Sequence, residues 1–128
     1  MKDLIRDSVV KRQDTGSCRR IGTVLVICPT QDLDHHYALS VRKEADDYID
    51  RGQIEHLIFD FSRITFMDSS GIGVIMGRYK KVIFQGGNIA CCGVGKEVER
   101  ILSLAGLFRI MKRYPGVEEA LTGLKEGR

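Results

Sequence analysis

The sequence predicts a single α/β domain built on a small, mostly parallel sheet of four to five strands with about four helices. Three observations carry that prediction. Short, β-branched apolar runs alternate with segments whose apolar residues recur at helical spacing, the order that crossover connections between parallel strands produce. The chain has 128 residues, 43% of them hydrophobic and 29% charged, which suffices for one core and is too apolar for wholesale disorder. No internal repeat, linker or low-complexity stretch divides it.

The elements follow in order. Val9 and Val10 suggest a short edge strand within a polar beginning, and Asp14-Thr15-Gly16-Ser17 reads as a turn. Thr23 to Cys28 is continuously apolar or β-branched and ends at Pro29, as a buried strand does. Asp34 is placed to cap a helix in which Ala38, Val41, Ala45, Tyr48 and Ile49 share a face and Gly52 stands at the C-cap. His56 to Phe61 is the next strand. Asp68 opens a second helix whose Ile72, Ile75, Met76, Tyr79 and Ile83 mark one face, stopped by Gly86-Gly87. Asn88 to Cys92 is a third core strand. Val94, Val98, Ile101, Leu102 and Ala105 outline a third helix ended by Gly106, and Leu107 to Met111 reads as a strand. Pro115 is placed to open a last helix through Val117, Ala120, Leu121 and Leu124. Residues 1–20 are read as a polar N-terminal extension or edge strand and residues 21–128 as the folded domain.

Charge narrows the function. Lys and Arg number 20 and Asp and Glu 17, a formal net charge of +3. Residues 1–20 carry six bases and three acids, so the whole excess lies there and the remaining body is neutral. Nucleic-acid binding needs a concentrated basic footprint, which such a body lacks. The longest apolar run, Val24 to Cys28, is far too short to span a bilayer, and Lys2, Asp3, Arg6 and Asp7 interrupt any leader-like stretch. Cys18, Cys28, Cys91 and Cys92 form no C-x-x-C pair, and adjacent strand residues face opposite ways, so a reduced, cytoplasmic setting is expected. Residues 30–60 hold eight acids and three bases and residues 61–114 nine bases and three acids, a split that suits docking of an oppositely patterned protein.

Phe66-Met67-Asp68-Ser69-Ser70-Gly71-Ile72-Gly73 places an acid, two hydroxyls and two glycines at a helix start. Enzyme motifs do not fit it. No Lys follows Gly73 until Lys80, against a P-loop, and Met67 and Asp68 stand where a nucleophile elbow needs glycine. Gly71, Gly73 and Gly77 are spaced one residue too long for a dinucleotide fingerprint. None of the three histidines has a triad context. With Asp68 as cap, Ser69 is the first helical residue and its hydroxyl points outward. A phosphate there adds about −1.5 to −2 charges and faces the favourable end of the helix dipole. Such a mark is tolerable to the fold and intolerable to a partner packed on the tip. Asp34-His35-His36 is a poor metal site, because adjacent residues on a helix point about 100° apart. His56 is read as a sheet-end residue, Cys91 and Cys92 as core filling, and Gly93-Val94-Gly95-Lys96 as a tight strand-to-helix turn.

Leu33-Asp34-His35-His36, the run from Phe66 to Lys80, and Ser103-Leu104-Ala105-Gly106-Leu107-Phe108 closely resemble the STAS-domain anti-sigma factor antagonists, and within them the sporulation anti-sigma F subfamily. The resemblance covers roughly residues 21–125. It implies a STAS-like fold without catalytic activity, cofactor or metal, and a cytoplasmic monomer that contacts neither nucleic acid nor membrane. It implies phosphorylation of the serine after the motif's Asp, here Ser69, by an anti-sigma factor serine kinase using ATP, and reversal by a PP2C-type phosphatase. The unphosphorylated form binds the anti-sigma factor and releases the sigma factor. The partner surface it implies comprises Asp34, Asp68, Ser69, Ser70, Gly71 and Ile72. A small-anion or nucleotide sensor, or the general-stress branch of the same family, are the alternatives. The chain departs from the pattern at Gln31-Asp32, where the family has Gly followed by an acid, and in an N-terminus about ten residues longer than the resemblance predicts.

Overall fold

The computed structural model describes residues 16–126. Within them lie five strands, β1 (Cys18–Ile21), β2 (Val24–Ile27), β3 (His56–Asp60), β4 (Ile89–Cys92) and β5 (Met111–Tyr114). Four helices, α1 (His35–Arg51), α2 (Ser69–Ile83), α3 (Lys96–Leu104) and α4 (Val117–Glu126), connect or follow them. The strands lie in sequence order in one sheet. β1 pairs with β2 antiparallel through a two-residue hairpin, in which Gly22 takes a φ of +62° that a side chain would resist. The other three pairings are parallel.

Alternation along each strand sorts the core into two layers. Leu25, Ile27, Leu57, Phe59, Ile89, Cys91 and Met111 pack with the buried faces of α1, α2 and α3. Val24, Val26, Ile58, Ala90 and Cys92 face the other way, onto Ala120 and Leu124 of α4. Cys91 and Cys92 therefore serve opposite layers, and burial pushes their thiols up to about 11 and about 12. His56 ends the sheet as expected, its Nδ1 accepting from the Asn88 N–H at 3.0 Å.

Four expectations need correction or relocation. The edge strand is formed by Cys18–Ile21, whereas Val9 and Val10 lie outside the described residues. Leu107–Arg109 is a 3-10 turn, and the strand starts only at Met111. Gly106, at φ +75°, turns the chain so sharply after α3 that Leu107 drops into the core before any strand can begin. Pro115 stands two residues ahead of α4, and the carbonyl of Gly116 accepts the first helical bond, from Ala120. In α2 the buried face is Gly71, Val74, Ile75, Arg78 and Val82, while Ile72, Met76 and Tyr79 are half-buried and Ile83 is exposed. Apolar periodicity misplaces that face because a charged residue, Arg78, occupies its centre.

Arg78 is buried because α1 supplies its counter-charge. Its Nε lies 3.0 Å from Asp46 Oδ1, although the N–H is not aligned on that oxygen, and Nη1 donates to the Val74 carbonyl at 3.4 Å. Burial pulls the guanidinium pKa down while Asp46 pushes it back up. Lys81 completes the cluster, 3.2 Å from Asp46 and 2.9 Å from Asp50. Acids of the first charge block and bases of the second thus meet across the α1–α2 seam.

Removing one partner of such a pair leaves a charge stranded, whereas an apolar replacement of similar volume removes the desolvation problem itself. Asp46→Ala is expected to lower unfolding stability by about 3 kcal/mol, and Arg78→Met by less than about 1 kcal/mol. Urea unfolding midpoints at unchanged slope measure both. Equal losses would show that the cluster acts by packing alone.

Candidate functional site

The C-terminal ends of β2 and β3 feed the first turns of α1 and α2 and bring the two helix starts together. At α1, Asp34 is extended and its Oδ1 accepts from the Tyr37 N–H at 2.9 Å. At α2, Asp68 does the same for the Ser70 N–H at 2.8 Å. Short polar side chains are favoured at both positions because they satisfy amides that the helix cannot.

The residue before each cap couples the two helices. Leu33 and Met67, each 1% exposed, form an isolated parallel bridge. The Leu33 N–H donates to the Phe66 carbonyl and the Asp68 N–H to the Leu33 carbonyl, both at 3.2 Å. Gly71 lies directly over this bridge. A Cβ there would stand 2.9 Å from Met67 Cβ and 3.1 Å from Leu33 Cβ, so only glycine lets α2 come this close. Asp32 adds a second tie. Its Oδ1 accepts from the N–H groups of Thr65 at 2.8 Å and Phe66 at 3.2 Å, and the Thr65 hydroxyl donates to Oδ2 at 3.3 Å. The Tyr37 hydroxyl accepts from the Thr30 N–H at 2.8 Å and holds the start of the same loop.

The result is a tip on which Asp34 and Ser69 are exposed and Asp68, Ser70 and Ile72 half-buried. Gly71 is buried and belongs to the tip's support. Ser69 is the first helical residue. Asp68 already occupies the Ser70 N–H, and the Gly71 and Ile72 N–H groups donate to the Asp68 carbonyl at 3.0 and 3.4 Å. Among the described residues the Ser69 N–H has no acceptor. A group attached to the Ser69 hydroxyl therefore meets one open backbone donor, the positive end of α2 and the Asp68 carboxylate. A groove of about 410 Å³ runs from Ser70 down the α1–α2 seam past His35, Leu39, Gly73 and Gly77 to Arg78.

His35 and His36 are both exposed, with ring centroids 5.9 Å apart and planes at 61°. Among the described residues no group of three or more His, Cys, Asp or Glu is arranged to hold a metal, and no helix is long and apolar enough to cross a membrane. Gly95 starts α3 without a side-chain cap, beside Arg113, which donates to the Val94 carbonyl at 3.4 Å.

Sequence reasoning places both caps and Ser69 but misses Asp32 and the bridge. A signal for the bridge exists, since Leu33-Asp34 and Met67-Asp68 share an apolar residue ahead of the cap, the position that fixes a helix's entry angle. Asp32 has no such signal, because its donors lie 33 and 34 residues away.

Asp32→Asn keeps an oxygen acceptor where Asp32→Ala keeps none. The alanine variant is expected to lose about 1 kcal/mol of stability and to exchange the Thr65 and Phe66 amides severalfold faster, with the asparagine variant close to wild type. Hydrogen exchange read residue by residue checks this. Equal acceleration in both variants would mean that charge, and not the acceptor, closes the loop.

Residues 17–120 match the family profile described as STAS domain. The chain is 44% identical over 102 residues to the anti-sigma F factor antagonist of Paenibacillus polymyxa, covering 80% of this chain and 87% of that one. Among solved structures, the protein TM1081 of Thermotoga maritima superposes with a TM-score of 0.78 at 27% identity, over 85% of this chain and 93% of the other. The Bacillus cell-fate determinant SpoIIAA in its phosphorylated form gives a TM-score of 0.67 at 26% identity, over 82% and 95%.

Proposed function

The chain belongs to the STAS-domain family and, within it, to the anti-sigma factor antagonists, and on that footing we propose that the Ser69 hydroxyl is its switch. Unmodified, the tip docks on an anti-sigma factor serine kinase and displaces the sigma factor that the kinase holds. Transfer of a phosphoryl group from ATP to Ser69 Oγ ends the docking, and a PP2C-type phosphatase restores it. The observation that carries this reading is the geometry of Ser69: exposed, first in its helix, on a tip whose backbone is locked from both sides. The relative named for the anti-sigma F factor and the SpoIIAA structure solved in a phosphorylated state support it.

Electrostatics gives the switch its direction. The phosphate adds about −1.5 to −2 charges beside Asp68, and the one open amide at the start of α2 compensates little of that. The fold has no reason to rearrange, because no buried group changes partner. A kinase surface that covers Asp34, Asp68, Ser70 and Ile72 would desolvate the new dianion without an opposite charge to meet it, which costs affinity. Gly71 acts from beneath by holding the tip's shape. In this scheme the chain performs no catalysis itself; it is substrate and ligand of the kinase. One copy suffices, and the sporulation branch and the cytoplasm are its expected setting.

Incubated with the cognate anti-sigma kinase and ATP, the protein is expected to gain one phosphate, located at Ser69 by mass spectrometry. Ser69→Ala should bind the kinase and stay unmodified, and Ser69→Asp should bind more than tenfold more weakly, a loss of about 1.4 kcal/mol or more. Undiminished phosphorylation of Ser69→Ala would refute the assignment.

A further inference from the structure

Among the described residues an open trough of about 720 Å³ lies at the end opposite the tip, between the last turns of α1 and α2. Ile49 and Gly52 line it from one side, Ile83 and Phe84 from the other. Phe84 is 93% exposed and Ile83 40%, directly after a helix whose preceding turns pack normally. A phenyl ring left in water at the end of a well-packed helix signals a surface made for contact.

The rim has two signs. The α1 side carries Asp50, and the α2 side carries Lys80 and Lys81. The seam pairs Arg78 with Asp46, and Lys81 with Asp46 and Asp50. Lys80 is exposed and takes no part in that cluster, and the Asp50 side chain remains 65% exposed. A partner charged with one sign meets repulsion along one edge of the trough. A second copy turned by a two-fold axis through the trough does not. In such a pair each Phe84 would enter the other copy's trough, and each Lys80 would be brought toward the other's Asp50, both of which line the trough. One patch supplies both plug and socket and both charges, as an isologous contact requires.

We propose that this trough is a self-association surface, through which two copies of the chain pair by mutual insertion of Phe84. Eight residues line the trough, far fewer than the roughly 20–30 a side of a standard interface, so the contact is of the transient class. α2 is 15 residues long, so the Ser69 tips stand about 22 Å from the contact. Both therefore remain open to a partner.

Sedimentation of the full chain from 10 µM to 1 mM tests the proposal, with a monomer–dimer equilibrium expected at the upper end. Phe84→Asp should abolish it without lowering the thermal midpoint, because the ring is already in water. A charge exchange identifies the geometry. Asp50→Lys alone and Lys80→Asp alone should each stay monomeric, while an equimolar mixture should regain association, each new pair again being opposite in sign. A chain that is monomeric at 1 mM, a dimer indifferent to Phe84→Asp, or single variants whose mixture fails to associate would each overturn the proposal.

Discussion

The bridge between Leu33 and Met67 is the contact on which the candidate site of this protein depends. Parallel strands release their helices at the same end of the sheet, but nothing in that topology brings two helix starts into register. Here two backbone hydrogen bonds do so, and the paired side chains are almost fully buried beneath them. The residues that tie the tip down adjoin this pair: Asp32 and Asp34 on one strand of the bridge, Phe66 and Asp68 on the other. Ser69 follows immediately. Gly71 closes the arrangement from the helix side, since even one methyl group would drive α2 off the bridge.

In the proposed mechanism this lets a switch at Ser69 act without a moving part. The carboxylates at the tip are committed to backbone N–H groups, Asp32 to the neighbouring loop and Asp34 and Asp68 to their own helices. A charge added at Ser69 finds a rigid surface with few groups free to reorganise. The proposed change would therefore be expressed on the surface a partner meets and not in the fold beneath it. The α1–α2 seam reinforces that rigidity further down, where Asp46, Arg78 and Lys81 tie the helices together.

The same seam alters the meaning of the charge pattern. An acidic first half followed by a basic second half reads in the sequence as a two-signed docking surface. Folding gives part of it another use, because α1 and α2 lie side by side and Asp46 and Asp50 pair with Arg78 and Lys81. At the two ends of the seam stand the Ser69 tip and the trough beneath Phe84.

The three central strands, the two aspartate caps, Gly52 and the outward position of Ser69 are legible in the sequence because each is decided locally, by a continuous apolar run, by a cap within three residues, or by a left-handed turn. The resemblance in the run from Phe66 to Lys80 likewise needs no coordinates. The contacts between elements are of another kind. The face of α2 turned by Arg78, the clasp of Asp32 across 33 residues, and the placing of Leu107 in a 3-10 turn each depend on a group supplied by a distant part of the chain. Local propensity is set by neighbours along the chain, whereas a buried charge or a bridging carboxylate is stable only where tertiary packing brings its partner within hydrogen-bonding distance. The sequence by itself determined which serine stands at the helix start. Only the tertiary structure decided that this start is held fast against its neighbour, and that an aromatic ring stands uncovered at the far end.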